Sequence, residues 1–123
     1  MSSATILITD DEPHMRRLIE FSLKSLRANI VQAASGEETL QHLGQSPVDL
    51  MLVDYELKGM NGLDTIQAAR KLDATTNTPV ILLTARGDTG IKEAAQSIGV
   101  SAFLTKPFSP VELKALVQQL LES

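Results

Sequence analysis

Five residues of this chain have types and positions that could do chemistry together: Asp10, Asp11, Asp54, Thr84 and Lys106. Each follows or closes a short apolar run. The most telling run is Leu50-Met51-Leu52-Val53, which passes without alternation from Asp49 to Asp54. A run with no polar face must be buried on both sides, as a central parallel strand is. Tyr55 to Gly62 then has the composition of a loop. Asp54 is therefore expected at the carboxyl end of a buried strand, facing the crevice where open α/β sheets bind their ligands. Taken alone, the stretch also allows a plainer reading, a strand-ending Asp that caps a turn. The pattern recurs, however. Thr5-Ile6-Leu7-Ile8-Thr9 ends in Asp10-Asp11-Glu12, Pro79-Val80-Ile81-Leu82-Leu83 ends in Thr84, and Ala102-Phe103-Leu104-Thr105 ends in Lys106-Pro107. One such strand end is common by chance; the whole set is not.

Three neighbouring carboxylates repel one another and resist joint ionisation. A hard divalent cation resolves that conflict. Mg2+ takes oxygen ligands, keeps several waters and joins one or two carboxylates to a phosphate. Lys106 would supply a compact positive charge for a phosphate oxygen, and Thr84 a hydroxyl donor. There is no Gly-x-x-x-x-Gly-Lys phosphate loop and no candidate base beside a nucleophilic Ser or Cys. A carboxylate can itself be the nucleophile and form an aspartyl phosphate, and Asp54 is the candidate.

These strand ends need a scaffold, and the remaining sequence supplies one. Pro13 suits a first helical turn, and Met15, Leu18, Ile19, Leu23 and Leu26 mark one helical face. Asn29 to Ala33 reads as a short edge strand. Ser35-Gly36-Glu37-Glu38 has the spacing of a capping box and opens a helix running to about Leu43, which Gly44 stops. Gly59 and Gly62 bracket a turn. Leu63, Ile66, Ala69, Arg70 and Leu72 carry the next helix, and Asp73 to Thr78 is a polar connector. Ile91 to Ile98 is a helix rich in small residues, ended by Gly99. Ser109-Pro110-Val111-Glu112 opens the last helix, with Leu113, Leu116, Val117, Leu120 and Leu121 as its buried stripe. Five strands alternating with five helices predict an α/β fold, a doubly wound five-stranded parallel sheet. Right-handed crossovers favour the flavodoxin-like strand order 2-1-3-4-5, whose site lies between strands 1 and 3.

Bulk properties exclude several function classes. The 123 residues suffice for one core and not for two ordinary domains, so residues 1–123 are expected to form a single domain. The net charge of -4, with no basic cluster, argues against direct binding of nucleic acid. No cysteine is present, which removes disulfide and thiolate chemistry. No apolar run approaches the roughly 20 residues of a membrane span, and the first residues lack the parts of a signal peptide. The expectation is a cytoplasmic protein.

Over essentially its whole length the sequence resembles a response-regulator receiver domain of two-component signalling. The matching pieces are Thr9-Asp10-Asp11-Glu12, Val53-Asp54 with Gly59 and Gly62 beyond it, Leu83-Thr84-Ala85, and Lys106-Pro107-Phe108. Singly they are weak; in this order, at strand ends, they are highly specific. The resemblance implies a phosphoacceptor switch rather than an enzyme. Asp54 would take a phosphoryl group from a histidine kinase or histidine phosphotransfer protein. Asp11, Asp54 and the backbone carbonyl of Glu56 would ligate Mg2+ (or Mn2+), with Asp10 acting mainly through water. Lys106 would contact the phosphoryl group and Thr84 would turn toward it, with Phe103 as the aromatic switch position. The Lys106-Pro107 bond would be cis. Glu56 and Arg86 would flank the phosphoryl group and tune its hydrolysis. A downstream output protein or domain would read the face made by the fourth helix, fifth strand and fifth helix, as a monomer or a phosphorylation-dependent dimer.

The chain departs from the family's pattern at three points. Phe103 stands where Tyr is frequent, so no hydroxyl is available there to hydrogen-bond outward. Lys58-Gly59 replaces the usual proline of the loop after Asp54. Val100-Ser101-Ala102 replaces the paired acids that one dimerising branch carries on its fifth strand. Two competing readings remain. One is a receiver that docks partners without taking phosphate. The other is an aspartyl-phosphate phosphohydrolase of the dehalogenase type, with Glu56 posing as its second acid; the Asp10-Asp11 pair lies in the wrong place for that, and no length remains for a substrate cap. His14 and His42 are read as surface positions, and Asp88 as a helix cap.

Overall fold

The five apolar runs become β1 (Thr5–Thr9), β2 (Asn29–Ala33), β3 (Leu50–Asp54), β4 (Val80–Thr84) and β5 (Ala102–Thr105). All neighbours pair in parallel, in the order β2-β1-β3-β4-β5. The computed structural model describes residues 4–85 and 89–122, and its helices are α1 (Pro13–Ser22), α2 (Gly36–Leu43), α3 (Gly62–Arg70), α4 (Thr89–Ser97) and α5 (Pro110–Glu122).

Alternation along each strand divides the core in two. Leu7, Met51, Val53, Val80 and Leu82 face one side, where Leu43 of α2, Ile66 and Ala69 of α3, and Ile91 and Ala95 of α4 cover them. Ile6, Ile8, Leu50, Leu52, Ile81 and Leu83 face the other, under Ile19 and Leu23 at α1 and Leu113 and Val117 of α5. Every residue of β3 and β4 is buried. The four apolar residues of β3 contribute about 2 kcal/mol each. Together they outweigh the several kcal/mol that burial of one paired carboxylate costs. That balance lets the strand end in Asp54.

The helix starts follow their caps. Ser35 accepts the Glu38 N–H at 3.1 Å, Asn61 accepts that of Asp64 at 2.9 Å, and Ser109 accepts that of Glu112 at 3.3 Å. The capping box at Ser35 is only half made, because the Glu38 carboxylate turns instead toward His42.

Two expectations about helix faces need correction. The face predicted through Leu26 does not belong to one α-helix. α1 ends at Ser22, and a 3-10 turn over Lys24–Leu26 leads to Arg27 at φ 57. Leu18 is 44% exposed, because the line that packs is Met15, Ile19 and Leu23, and Leu18 falls off it. Leu72, predicted on the third helix, lies beyond its end at 36% exposure. The connector after it holds a 3-10 turn, Asp73–Thr75.

Arg70 organises that connector. Its Nη1 donates to the Thr75 carbonyl at 2.8 Å and to the Thr78 carbonyl at 2.7 Å. Its Nε donates to the Ile98 carbonyl at 3.1 Å, and its Nη2 to the Gly99 carbonyl at 2.7 Å. One guanidinium thus ties α3 to the entry of β4 and to the exit of α4.

Candidate functional site

Register brings the site together. Thr9 pairs with Val53, so Asp10 and Asp54 emerge side by side, one step beyond that pair. Asp54 aligns with Leu83, and Thr84 with Thr105, which sets Thr84 and Lys106 along the same edge of the sheet. The Lys106 N–H donates to the Thr84 carbonyl at 2.8 Å, and the Lys106-Pro107 peptide is cis, as the family resemblance implies.

The Lys106 ammonium stands between two buried carboxylates. Its Nζ lies 2.9 Å from Asp54 Oδ2 and 3.3 Å from Asp10 Oδ2. Asp54 is 3% exposed and Asp10 fully buried, so the cation is their internal counter-charge. Burial pushes the Asp10 carboxyl above its ordinary value. The Glu12 N–H and the Lys106 charge offset part of that rise, and the Asp54 charge adds to it. Burial by itself would lower the Lys106 ammonium; its hydrogen bond to Asp54, with the charges of Asp54 and Asp10, more than reverses this and holds it above the ordinary lysine value.

Each acid is fixed by backbone as well. Asp54 Oδ1 accepts the Glu56 N–H at 3.1 Å, and Asp10 Oδ1 accepts that of Glu12 at 2.9 Å. Both are turns in which an Asp side chain holds the N–H two residues on. The Gly62 N–H donates to the Tyr55 carbonyl at 3.0 Å. A Cβ on Gly62 would collide with the Asp54 carbonyl and the Tyr55 Cα, so α3 can begin against the backbone of Asp54 and Tyr55 only with glycine there.

Asp10, Asp11 and Glu12 each offer a carboxylate oxygen within 4.8 Å of the others. Oxygen donors gathered in this way suit a hard cation such as Mg2+. Sequence pattern alone assigns no role to Glu12, although it lies in the quoted Asp-Asp-Glu run. Glu12 is the residue preceding α1, with extended backbone (φ -102, ψ 114), and its carboxylate joins the two aspartates. Asp54 reaches this trio through Lys106.

The other predicted positions fall as follows. Thr84 is buried and shares the α2–α3–α4 side of the sheet with Leu82 and half-buried Phe103, whose strands pair at Leu82 and Phe103. Glu56 is exposed. Arg86 and Asp88 lie outside the described residues. His14 sits 3.4 Å from Glu12, and His42 3.8 Å from Glu38, its i,i+4 neighbour on α2. Two basic residues also lie beyond the reach of sequence pattern: Arg70, described above, and Arg16, which donates to the Asp10 carbonyl at 2.6 Å.

A family model for the response regulator receiver domain matches residues 6–118. The response regulator GtcR of Aneurinibacillus migulanus is 35% identical over 94% of this chain and 47% of its own length. The chain spans about half the length of the curated relatives it matches. A putative response regulator from Chloroflexus aurantiacus superposes with a TM-score of 0.92 at 33% identity, covering 99% of this chain and 100% of that one. The receiver domain of a sensor histidine kinase from Pseudomonas aeruginosa, solved with a magnesium ion coordinated in its active-site cleft, gives 0.89 at 27% identity over 99% of this chain and 100% of that one.

Proposed function

The chain belongs to the response-regulator receiver domain family of two-component signalling, and from that premise we propose that Asp54 is its phosphoacceptor. The observation that carries this reading is the Lys106 ammonium, shared between Asp54 at 2.9 Å and Asp10 at 3.3 Å. Receiver domains are in general signalling modules and not enzymes. The chemistry proposed here is therefore confined to the protein's own phosphorylation and dephosphorylation.

A carboxylate oxygen of Asp54 attacks the phosphorus carried by a histidine of the kinase or phosphotransfer protein. The new P–O bond forms as the P–N bond breaks, and the electron pair returns to the imidazole. Lys106 turns from its carboxylates to the equatorial phosphoryl oxygens and stabilises their charge. Asp11, Asp54 and the Glu56 carbonyl would hold Mg2+, or Mn2+ in its place, with Asp10 acting through water and Glu12 beside them. When bound, the cation neutralises charge on both the acids and the phosphoryl group. The magnesium ion coordinated in the cleft of the similar Pseudomonas receiver domain supports this assignment.

Phosphorylation then biases the Thr84 and Phe103 pair, which share one side of the sheet, and through it the face formed by α4, β5 and α5. Phe103 responds through burial of its ring alone. That face meets an output protein or domain, as a monomer or a phosphorylation-dependent dimer. Residues 1–123 act as a single receiver domain. No helix among the described residues is long and apolar enough to cross a membrane.

Intact mass after incubation with acetyl phosphate tests the reading. Expected is a gain of one phosphoryl group that needs Mg2+ and is absent in Asp54→Asn. No gain under any condition would leave a receiver that only docks partners. Followed in time, the same assay reads the tuning positions. With both Glu56 and Arg86 replaced by Ala, the phosphorylated form should decay faster, on the reading that these two side chains of opposite charge hinder the attacking water. An unchanged or longer lifetime rejects that role.

A further inference from the structure

Arg16 is the cation of α1 whose guanidinium turns back onto the acidic turn. It is the fourth residue of a helix that starts at Pro13, and helical side chains lean toward the N-terminus. From there Nη1 reaches the carbonyl of Asp10 at 2.6 Å. Nε donates to Gln32 Oε1 at 3.1 Å, and Gln32 in turn donates through Nε2 to Glu20 Oε1. The neighbouring Arg17 is exposed.

The Asp10 carbonyl belongs to the peptide plane that joins Asp10 to Asp11. The Asp10 N–H is already tied to the Ala33 carbonyl at 3.1 Å, and its side chain to Glu12 and Lys106. Fixing the carbonyl as well sets that plane, and with it the direction in which the Asp11 side chain leaves the backbone. We propose that Arg16 is a positioning residue for the acidic cluster: held by Gln32 on the edge strand, it clamps the Asp10–Asp11 peptide so that the Asp10, Asp11 and Glu12 carboxylates converge on a divalent cation. The inference rests on reading that cluster as the Mg2+ site.

Charge and position predict opposite signs, which makes the idea testable. A guanidinium beside a cation site repels the incoming cation. If charge were its whole effect, removing it would tighten Mg2+ binding. If it orients the ligands, removing it weakens binding, as losing an outer hydrogen-bond partner of a metal ligand does, by about tenfold or more. Lysine keeps the charge and loses the fork that serves the carbonyl and Gln32 together.

The test is calorimetric titration with Mg2+ alone on the whole chain, with unfolding in EDTA measured on the same samples. Wild type should bind Mg2+, Arg16→Met about tenfold more weakly, and Arg16→Lys in between. Gln32→Leu should weaken binding in the wild-type background and add little to Arg16→Met, because the two side chains act as one unit. Equal or tighter Mg2+ binding by Arg16→Met overturns the proposal, and a loss of thermal midpoint in EDTA without any change in affinity does the same by showing a structural role only. If wild type itself binds no Mg2+, the reading of the acidic cluster fails, and this inference fails with it.

Discussion

The electrostatic arrangement at the sheet edge turns on Lys106. It is the one counter-charge that Asp10 and Asp54 share among the described residues, and both carboxylates have almost no access to solvent screening. Replacing it with Met leaves two buried carboxylates facing one another, and breaking a buried pair costs about 3 kcal/mol. The cost should depend on pH. Burial already raises the Asp10 pKa, so this group takes up protons as the chain folds. Its contribution to stability is present at low pH and is lost as pH rises through that raised value. In EDTA, Lys106→Met should therefore show its full loss at neutral pH and a shrinking loss as pH falls toward the ordinary carboxylate range. Urea unfolding across a pH series reads this directly. A loss that stays constant over the series would mean that no carboxylate takes up the missing charge.

At the scale of elements, the structure is locked at the end opposite the acids by a different device. Among the described residues, Arg70 gives four hydrogen bonds to backbone carbonyls and none to a carboxylate, and burial lowers its pKa. Those carbonyls belong to the connector between α3 and β4 and to the turn after α4, where few backbone partners are available. Arg70→Met should cost about 2–4 kcal/mol, since several part-buried acceptors lose their donor at once. Arg70→Lys should recover less than half, because one ammonium cannot replace a planar fork across four carbonyls. Equilibrium denaturation of the two variants checks both values. Recovery to wild type by Lys would show that only the charge matters.

At the scale of the molecule, the proposed metal site would link cation binding to folding. Asp54 stands beside Asp10 and Asp11 only when β1 and β3 are paired, so a cation held among these acids would favour the folded chain. With Mg2+ at about one hundred times its dissociation constant, the folded state should gain about 2.7 kcal/mol. For a domain of this size that is a rise of about 10 °C in thermal midpoint. Asp11→Asn should abolish most of the gain. A midpoint indifferent to Mg2+ in the wild-type chain would contradict a metal site at this edge.

The local pattern of the sequence determined the five strands and the five helices and put Asp10, Asp11, Asp54, Thr84 and Lys106 at strand ends, while the strand order followed from the crossover rule rather than from local pattern. It could do so because burial on both faces, caps and turn residues are properties of neighbours in the chain. The tertiary structure alone decided that Lys106 bridges Asp10 and Asp54, partners up to 96 positions away. It also decided that Glu12 joins the acidic group and that α1 stops at Ser22. Arg16 and Arg70 were illegible in the sequence for a related reason. Their partners are mostly main-chain carbonyls, which every residue carries, and only folding brings a particular few within reach of a particular guanidinium.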